Sequence, residues 1–144
     1  MPLKPPINYF FENISFKIKQ KKNLRNWICQ TIASEGYGLE QVNFIFCNDD
    51  YLTNINVNYL KHNTLTDIIT FDNSNTTKQV SGDIFISIER VIENSRIFKV
   101  KKRDELHRVM IHGVLHLLNY NDKSTKSKKT MTEKENFYLM VRSL

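Results

Sequence analysis

Apolar and polar residues in the first third of this chain follow patterns that predict two strands and one helix. Residues 14–18 alternate between apolar and polar side chains, which is typical of a half-buried strand. Residues 42–47 are mostly apolar and predict a second strand. Between them, apolar side chains recur at helical spacing over residues 22–35, and Gly36 is a good helix stop. The chain is therefore expected to begin as strand, helix, strand.

A second helix and a hairpin are predicted next. Residues 48–50 offer an N-cap to a helix whose apolar positions continue to Tyr59. Residues 66–71 and 81–87 are rich in β-branched and aromatic side chains, as strands are. Because the residues between these two runs are polar, we expect the runs to pair as a hairpin with a long loop.

Three helices are predicted in the remainder of the chain. The first covers residues 88–98, and Asp104 is expected to cap the second, which is the most apolar helix of the set. Residues 123–129 are polar and cationic without periodicity, and they predict a mobile loop. A capping box at residues 130–133 is expected to open the last helix. The buried stripe of that helix is predicted to consist of Phe137, Met140 and Val141.

This order of elements predicts an α+β fold in one domain that spans residues 1–144. We expect a mixed sheet of about four strands packed with about five helices. Strands separated by a helix should pair in parallel through helical crossovers, and the hairpin should add an antiparallel strand. The helix that follows Asp104 is expected to be central, because it is the most apolar and is long enough to cross the sheet.

The composition narrows the class of partner. A chain of 144 residues with 40% hydrophobic and 25% charged residues is typical of a soluble globular protein. Its formal charge of +6 indicates an anionic partner, with nucleic acid ahead of a membrane because no basic amphipathic helix with an aromatic face stands out. No run has the length of a signal or membrane segment, and Cys29 and Cys47 form no C-x-x-C pair. We therefore expect a cytoplasmic protein with reduced cysteines.

Two histidines in the predicted central helix suggest a metal site. His112 and His116 are four residues apart, so a helix places both imidazoles on one face. Asn119 readily takes the left-handed conformation that ends a helix, and such a turn would bring the Asp122 carboxylate under the imidazoles. Two nitrogens and one oxygen with an open fourth position form a catalytic zinc site. Gly113 stands where a zincin protease has its glutamate base, which argues against peptide hydrolysis by that mechanism.

Three segments together resemble one family, the YbeY endoribonucleases. Residues 66–71 (Thr-Asp-Ile-Ile-Thr-Phe) are similar to the family's Thr-Asp-Val-Leu-Ser-Phe, and residues 82–84 match its Gly-Asp-Ile. Residues 112–122 are similar to its His-Gly-x-Leu-His-Leu-x-Gly-Tyr-Asp-His. The resemblance implies a zinc-dependent endoribonuclease that is specific for single strands and acts in ribosomal RNA maturation, including the 3′ end of 16S rRNA. It further implies that RNA and ribosomal particles are the partners, and that neither a membrane nor DNA is bound.

Two positions depart from the family pattern. The family's third histidine ligand falls on Asp122, which keeps a ligand for zinc but adds a negative charge that should make the bound water less acidic. The family's arginine, which contacts the phosphate, falls on Leu60. The resemblance therefore leaves Lys61 or His62 as the candidates for part of the arginine's role, although lysine cannot make its bidentate contact.

Other candidate residues carry two interpretations each. Asp67 and Asp83 either support the metal histidines or cap the turns before their strands. The cations at the predicted loop, Lys126, Lys128 and Lys129, either contact RNA or are merely solvated. Two alternative functions also stand beside the endoribonuclease: a non-catalytic, zinc-containing protein that binds the ribosome, and a metallohydrolase of another substrate.

Overall fold

The computed structural model describes residues 6–60 and 66–143 of the chain. Its four strands are β1 (Ile7–Glu12), β2 (Gly38–Cys47), β3 (Ile68–Asp72) and β4 (Gln79–Ser87). Its five helices are α1 (Lys21–Ser34), α2 (Asp49–Leu60), α3 (Ile88–Ile97), α4 (Lys102–Leu117) and α5 (Thr125–Met140). None of the helices in the described ranges is long and apolar enough to cross a membrane.

The strands form one mixed sheet in the order β1-β2-β4-β3. β1 runs parallel to β2, and β2 runs parallel to β4. β3 and β4 form the antiparallel hairpin. The predicted α+β architecture, with parallel pairs joined by helical crossovers and one antiparallel strand, is therefore confirmed.

Helix α4 lies at the centre of the molecule, as predicted. It contacts β3 and β4 on one side and α1, α3 and α5 around the others. Close approach to the sheet depends on Gly113, since a Cβ atom there would lie 2.8 Å from Ile84 Cγ2 and 3.0 Å from Ile68 Cδ1. The histidine helix is thus held as a core element, and its side chains have little freedom to shift.

The first predicted strand was placed wrongly. The strand that joins the sheet is β1, in which Ile7 pairs with Val42 of β2, whereas residues 14–18 form neither helix nor strand. Asn13 has a left-handed backbone (φ 56°) and turns the chain away from the sheet directly after β1. β1 is an edge strand that alternates too, with Ile7, Tyr9 and Phe11 toward the core, but the exposed Phe10 (48%) hides this pattern in the sequence. The more regular alternation of residues 14–18 was therefore misleading.

The starts of two helices also differ from prediction. Helix α4 begins at Lys102 rather than after Asp104, and Lys101 occupies the N-cap without a side-chain hydrogen bond. Asp104 lies instead in the first turn, where it accepts a hydrogen bond from Arg142 Nη2 at 3.2 Å. Helix α5 begins five residues before the predicted capping box because Ser124 and Ser127 form the cap between themselves. Residues 125–129 are therefore helix rather than loop.

The buried face of α5 differs accordingly. The stripe that was predicted to be buried is exposed at all three of its residues, Phe137, Met140 and Val141. Met131, Glu135 and Tyr138 face the interior instead. Trp27 of α1 fixes this orientation by donating its indole N–H to the Tyr138 carbonyl at 2.8 Å.

We predict that Gly113→Ala lowers the free energy of unfolding by about 1 to 3 kcal/mol, because the added methyl group overpacks the contact between α4 and Ile84. Urea titration measures this. Asn54→Ala on the exposed face of α2 is the control and should change stability by no more than about 0.5 kcal/mol. Equal stability of the wild type and Gly113→Ala would show that the close approach at this glycine is not a constraint.

Candidate metal centre

Three ligand atoms converge at the end of α4. The Nε2 atoms of His112 and His116 lie 3.0 Å apart. The Asp122 carboxylate lies 3.5 Å from His112 Nε2 and 3.7 Å from His116 Nε2. Asn119 has the expected left-handed backbone (φ 74°), which returns the chain toward the helix. The three side chains predicted as metal ligands are therefore brought together.

Hydrogen bonds orient both imidazoles. His112 Nδ1 donates to Glu135 Oε2 at 2.6 Å, and His116 Nδ1 donates to the Tyr120 carbonyl at 3.0 Å. With both Nδ1 atoms used as donors, the Nε2 lone pairs of the neutral rings are left to face Asp122. Two imidazole nitrogens and one carboxylate oxygen within 4.8 Å of one another fit one divalent ion of the zinc type.

Glu135 is a site residue that the sequence analysis missed. Its side chain is buried between α4 and α5, with 7% of the residue exposed, and it accepts a hydrogen bond from Arg108 Nη1 at 2.9 Å as well as the one from His112. A signal was present in the sequence, because Met131, Glu135 and Tyr138 share one helical face. A carboxylate within an apolar stripe indicates a buried partner.

The surroundings shift the pKa values of the two histidines in opposite directions. Burial lowers the pKa of His112, but the hydrogen bond and charge of Glu135, with the charges of Asp122 and Asp67, raise this pKa above its ordinary value overall. Burial and the nearby His112 lower the pKa of His116. A metal ion at this site must compete with a proton on His112, so its affinity should fall in acid.

The two candidate supporting aspartates lie in different places. Asp67 lies beside His112 in the wall of the metal cleft, and burial raises the pKa of its carboxyl group. Asp83 accepts hydrogen bonds from Asn43 at 2.9 Å and Asn73 at 3.2 Å, and so ties β2 to the loop after β3. Asp67 thus lines the cleft with Asn94 as its side-chain hydrogen-bond partner at 3.5 Å, and Asp83 makes contacts within the sheet. Support of the metal histidines by Asp67 stays a prediction.

An open cleft of about 500 Å³ adjoins the three ligands. Leu60 lies in its wall with 39% of the residue exposed, so the position that corresponds to the family's arginine faces the cleft. Asp67 and Asp72 line it together with Asp122, and no cation is among the lining residues in the described ranges. Lys61 and His62 lie outside the described residues.

The three candidate RNA-binding lysines are exposed on α5. Lys126, Lys128 and Lys129 lie within its first five residues, which begin close after Asp122. Lys126 also borders a shallow depression with Tyr120 and Asn121, next to the turn that carries the third ligand. Their contact with RNA stays a prediction.

The fold and the site together define a class: α+β proteins with an open, three-ligand site suited to one metal ion. A family model described as Endoribonuclease YbeY matches residues 8–141. The chain is 48% identical over 129 residues to the Endoribonuclease YbeY of Flavobacterium psychrophilum, with 90% of this chain and 91% of the relative covered. It is 43% identical over 136 residues to that of Cytophaga hutchinsonii, with 94% and 95% covered.

A solved structure agrees with these relatives. The solution structure of TM1509 from Thermotoga maritima matches with a TM-score of 0.65 and 28% identity, over 91% of this chain and 86% of that one. The chain belongs to the YbeY family of endoribonucleases.

We predict that Glu135→Gln weakens zinc binding roughly 10- to 100-fold, because the amide removes the charge that orients and polarises His112. A competition titration with a chromogenic chelator measures this affinity without any assay of activity. Glu133→Gln, two residues away on the exposed face of α5, is the matched control and should bind like the wild type. Equal affinity of the two variants would remove Glu135 from the metal centre.

A second prediction concerns Glu105, which is only 4% exposed and lies near the metal cleft. Burial, with the charge of Asp67, raises the pKa of its carboxyl group to about 7. The folded chain therefore holds this proton more tightly than the unfolded chain. The resulting stability is complete below about pH 4.5 and is lost as the pH rises through about 7.

Glu105→Gln should abolish the loss of stability that the wild type shows as the pH rises through about 7. Between pH 4.5 and pH 8 the variant should gain roughly 3 kcal/mol relative to the wild type, as measured by urea unfolding of metal-stripped protein. Glu40→Gln, at an exposed position near the start of β2, serves as the control. The same pH dependence in the wild type and in Glu105→Gln would be incompatible with a protonated Glu105.

Proposed function

We propose that this chain is a zinc-dependent endoribonuclease that cleaves single-stranded RNA during ribosomal RNA maturation, including that of the 16S rRNA 3′ end. The observation that carries the proposal is the convergence of His112, His116 and Asp122 beside an open cleft. The names of the curated relatives support the reaction, and the resemblance of the motifs supports ribosomal particles in the cytoplasm as its setting. The whole chain, residues 1–144, would act as one catalytic domain.

The chain's own residues prepare the site for hydrolysis. Bound zinc would lower the pKa of a coordinated water and offset the charge that builds on the phosphate. Glu135 and the Tyr120 carbonyl hold the two imidazoles in the orientation that ligation needs. Asp122 supplies the third ligand and one negative charge, so it should reduce the acidity of that water relative to a third neutral ligand. Only three protein ligands converge in the described part of the chain, which leaves a position open for water and fits a catalytic site better than an enclosed structural one.

The charges around the cleft suggest how RNA is held. Because the described walls of the cleft carry Asp67, Asp72 and Asp122 without a cation, a phosphate gains little attraction from the walls themselves. Attraction must therefore come from a bound metal ion and from lysines that are not among the described lining residues, for which we propose Lys61 together with Lys126, Lys128 and Lys129. A single strand can bend into such a cleft, whereas an A-form duplex hides its bases in a deep, narrow groove.

Substitution at Leu60 tests this function. Leu60→Arg should increase cleavage of a short single-stranded RNA roughly ten- to hundredfold, because an added charge-assisted hydrogen bond of about 1.5 to 3 kcal/mol would act on the phosphate in the transition state. If Lys61 supplies part of that contact, Lys61→Ala should lose a similar factor. Leu60→Met is the matched control, since it retains the apolar side chain. The measurement is single-turnover cleavage with zinc-loaded and metal-stripped protein.

The result also separates the alternative functions. His116→Ala should cleave no faster than metal-stripped wild type, and cleavage that survives in it would indicate a contaminating nuclease. If neither the wild type nor Leu60→Arg shows zinc-dependent cleavage of RNA, the result contradicts the proposed endoribonuclease. RNA binding without cleavage would then favour the ribosome-associated binding protein, which the leucine in place of the family's arginine also favours.

A further inference from the structure

Residues 14–19 form a strand-like segment for which the described residues provide no partner strand. Their side chains alternate in burial, with Ile18 buried and Lys17 and Lys19 exposed. Left-handed residues, Asn13 and Gln20 (both φ 56°), bound the segment on its two sides. No hydrogen bond joins its backbone to any other part of the chain that the structure describes. The alternation that predicted a strand here is therefore real, but no strand in residues 6–60 or 66–143 pairs with it.

An apolar groove of about 370 Å³ runs beside this segment. Residues 16–20 form one wall. Side chains from α3 and α4 form the floor and the other wall, namely Ile88, Val91, Ile92, Leu106 and His107. The groove is mainly apolar and open to solvent, so it can take side chains from a chain that lies along the segment.

The rim of the groove is cationic. Lys17 and Lys19 border it on one side, and Lys102 and Arg103 border it on the other. No carboxylate is among the described lining residues, although Arg103 Nε lies 4.0 Å from Asp104 just outside. Acidic side chains on a bound chain would therefore find complementary charges on both sides.

We propose that residues 14–19 and this groove form a docking site for an extended acidic peptide of a partner protein, which adds as a strand beside the segment. The unpaired backbone groups would supply the main-chain hydrogen bonds, and every second side chain of the peptide would enter the groove. The lysines and Arg103 select acidic residues at the other positions. This site needs no metal and is independent of the proposed RNA cleavage.

Two features favour a peptide over RNA at this place. Single-stranded RNA is held by exposed aromatic rings on which bases stack, but the two rings among the described lining residues pack inward. Phe16 packs against Phe11 and Phe46, and His107 is buried against Trp27. The groove also borders the first residues of α4, whereas His116 is fourteen residues further along that helix, about 21 Å away at 1.5 Å per residue. The docking site and the metal cleft are thus separate surfaces.

A labelled heptapeptide of alternating glutamate and valine, acetylated and amidated, tests the charge requirement by fluorescence anisotropy. Wild type should bind it, and Lys102→Glu should weaken binding at least tenfold. Lys78→Glu is the matched control, because Lys78 is also an exposed lysine but precedes the first residue of β4, whereas the groove borders Ile88 after the last residue of that strand. A lysine–valine peptide of the same length should not bind. If both variants weaken peptide binding equally, the net charge of the protein alone explains the binding and the proposal is overturned.

Two N-methylated peptides test strand addition itself. Methyl groups on one alternate set of amides block the edge that faces residues 14–19, whereas methyl groups on the other set leave that edge free. One peptide should therefore bind like the parent and the other at least tenfold more weakly. If both bind like the parent, or if a single-stranded RNA heptamer binds through Lys102 while the acidic peptide does not bind, the docking proposal is wrong.

Discussion

The structure depends on one constraint: helix α4 has to be both the centre of the core and the carrier of the two histidines that are candidate metal ligands. Apolar residues such as Met110, Ile111 and Leu115 are completely buried around its axis. Gly113 lets the helix approach the sheet closely. The strip that carries His112 and His116 faces the open cleft, and the helix behind it is fixed in the core, so the rigidity of the core is passed directly to the two imidazoles.

Hydrogen bonding then determines what those imidazoles can do. Each ring donates a hydrogen bond from Nδ1, His112 to Glu135 and His116 to the Tyr120 carbonyl. Two Nε2 lone pairs 3.0 Å apart repel each other unless a proton or another cation lies between them, and the Asp122 carboxylate adds a third source of negative potential. The arrangement therefore favours a bound cation, and its nitrogen and oxygen donors suit zinc.

The convergence of the three candidate ligands could be predicted from the sequence because the features that place them are local. Helical spacing sets the two histidines on one face, and a left-handed Asn119 is enough to return Asp122 to them. Glu135 could not be placed, because its burial depends on which face of α5 meets the rest of the molecule. That choice rests on a distant contact, the hydrogen bond from Trp27 to the Tyr138 carbonyl. The position of β1 was missed for a similar reason, since pairing with β2 rather than alternation decides it.

Zinc binding by the purified chain tests the central claim most directly. Metal-stripped protein titrated with zinc should bind one ion per chain at neutral pH, with affinity that falls steeply below about pH 6 as the histidines take up protons. His112→Ala, His116→Ala and Asp122→Ala should each lose this binding, whereas Asn121→Ala, beside the third ligand, should keep it. Full stoichiometry and affinity in both histidine variants would contradict the account.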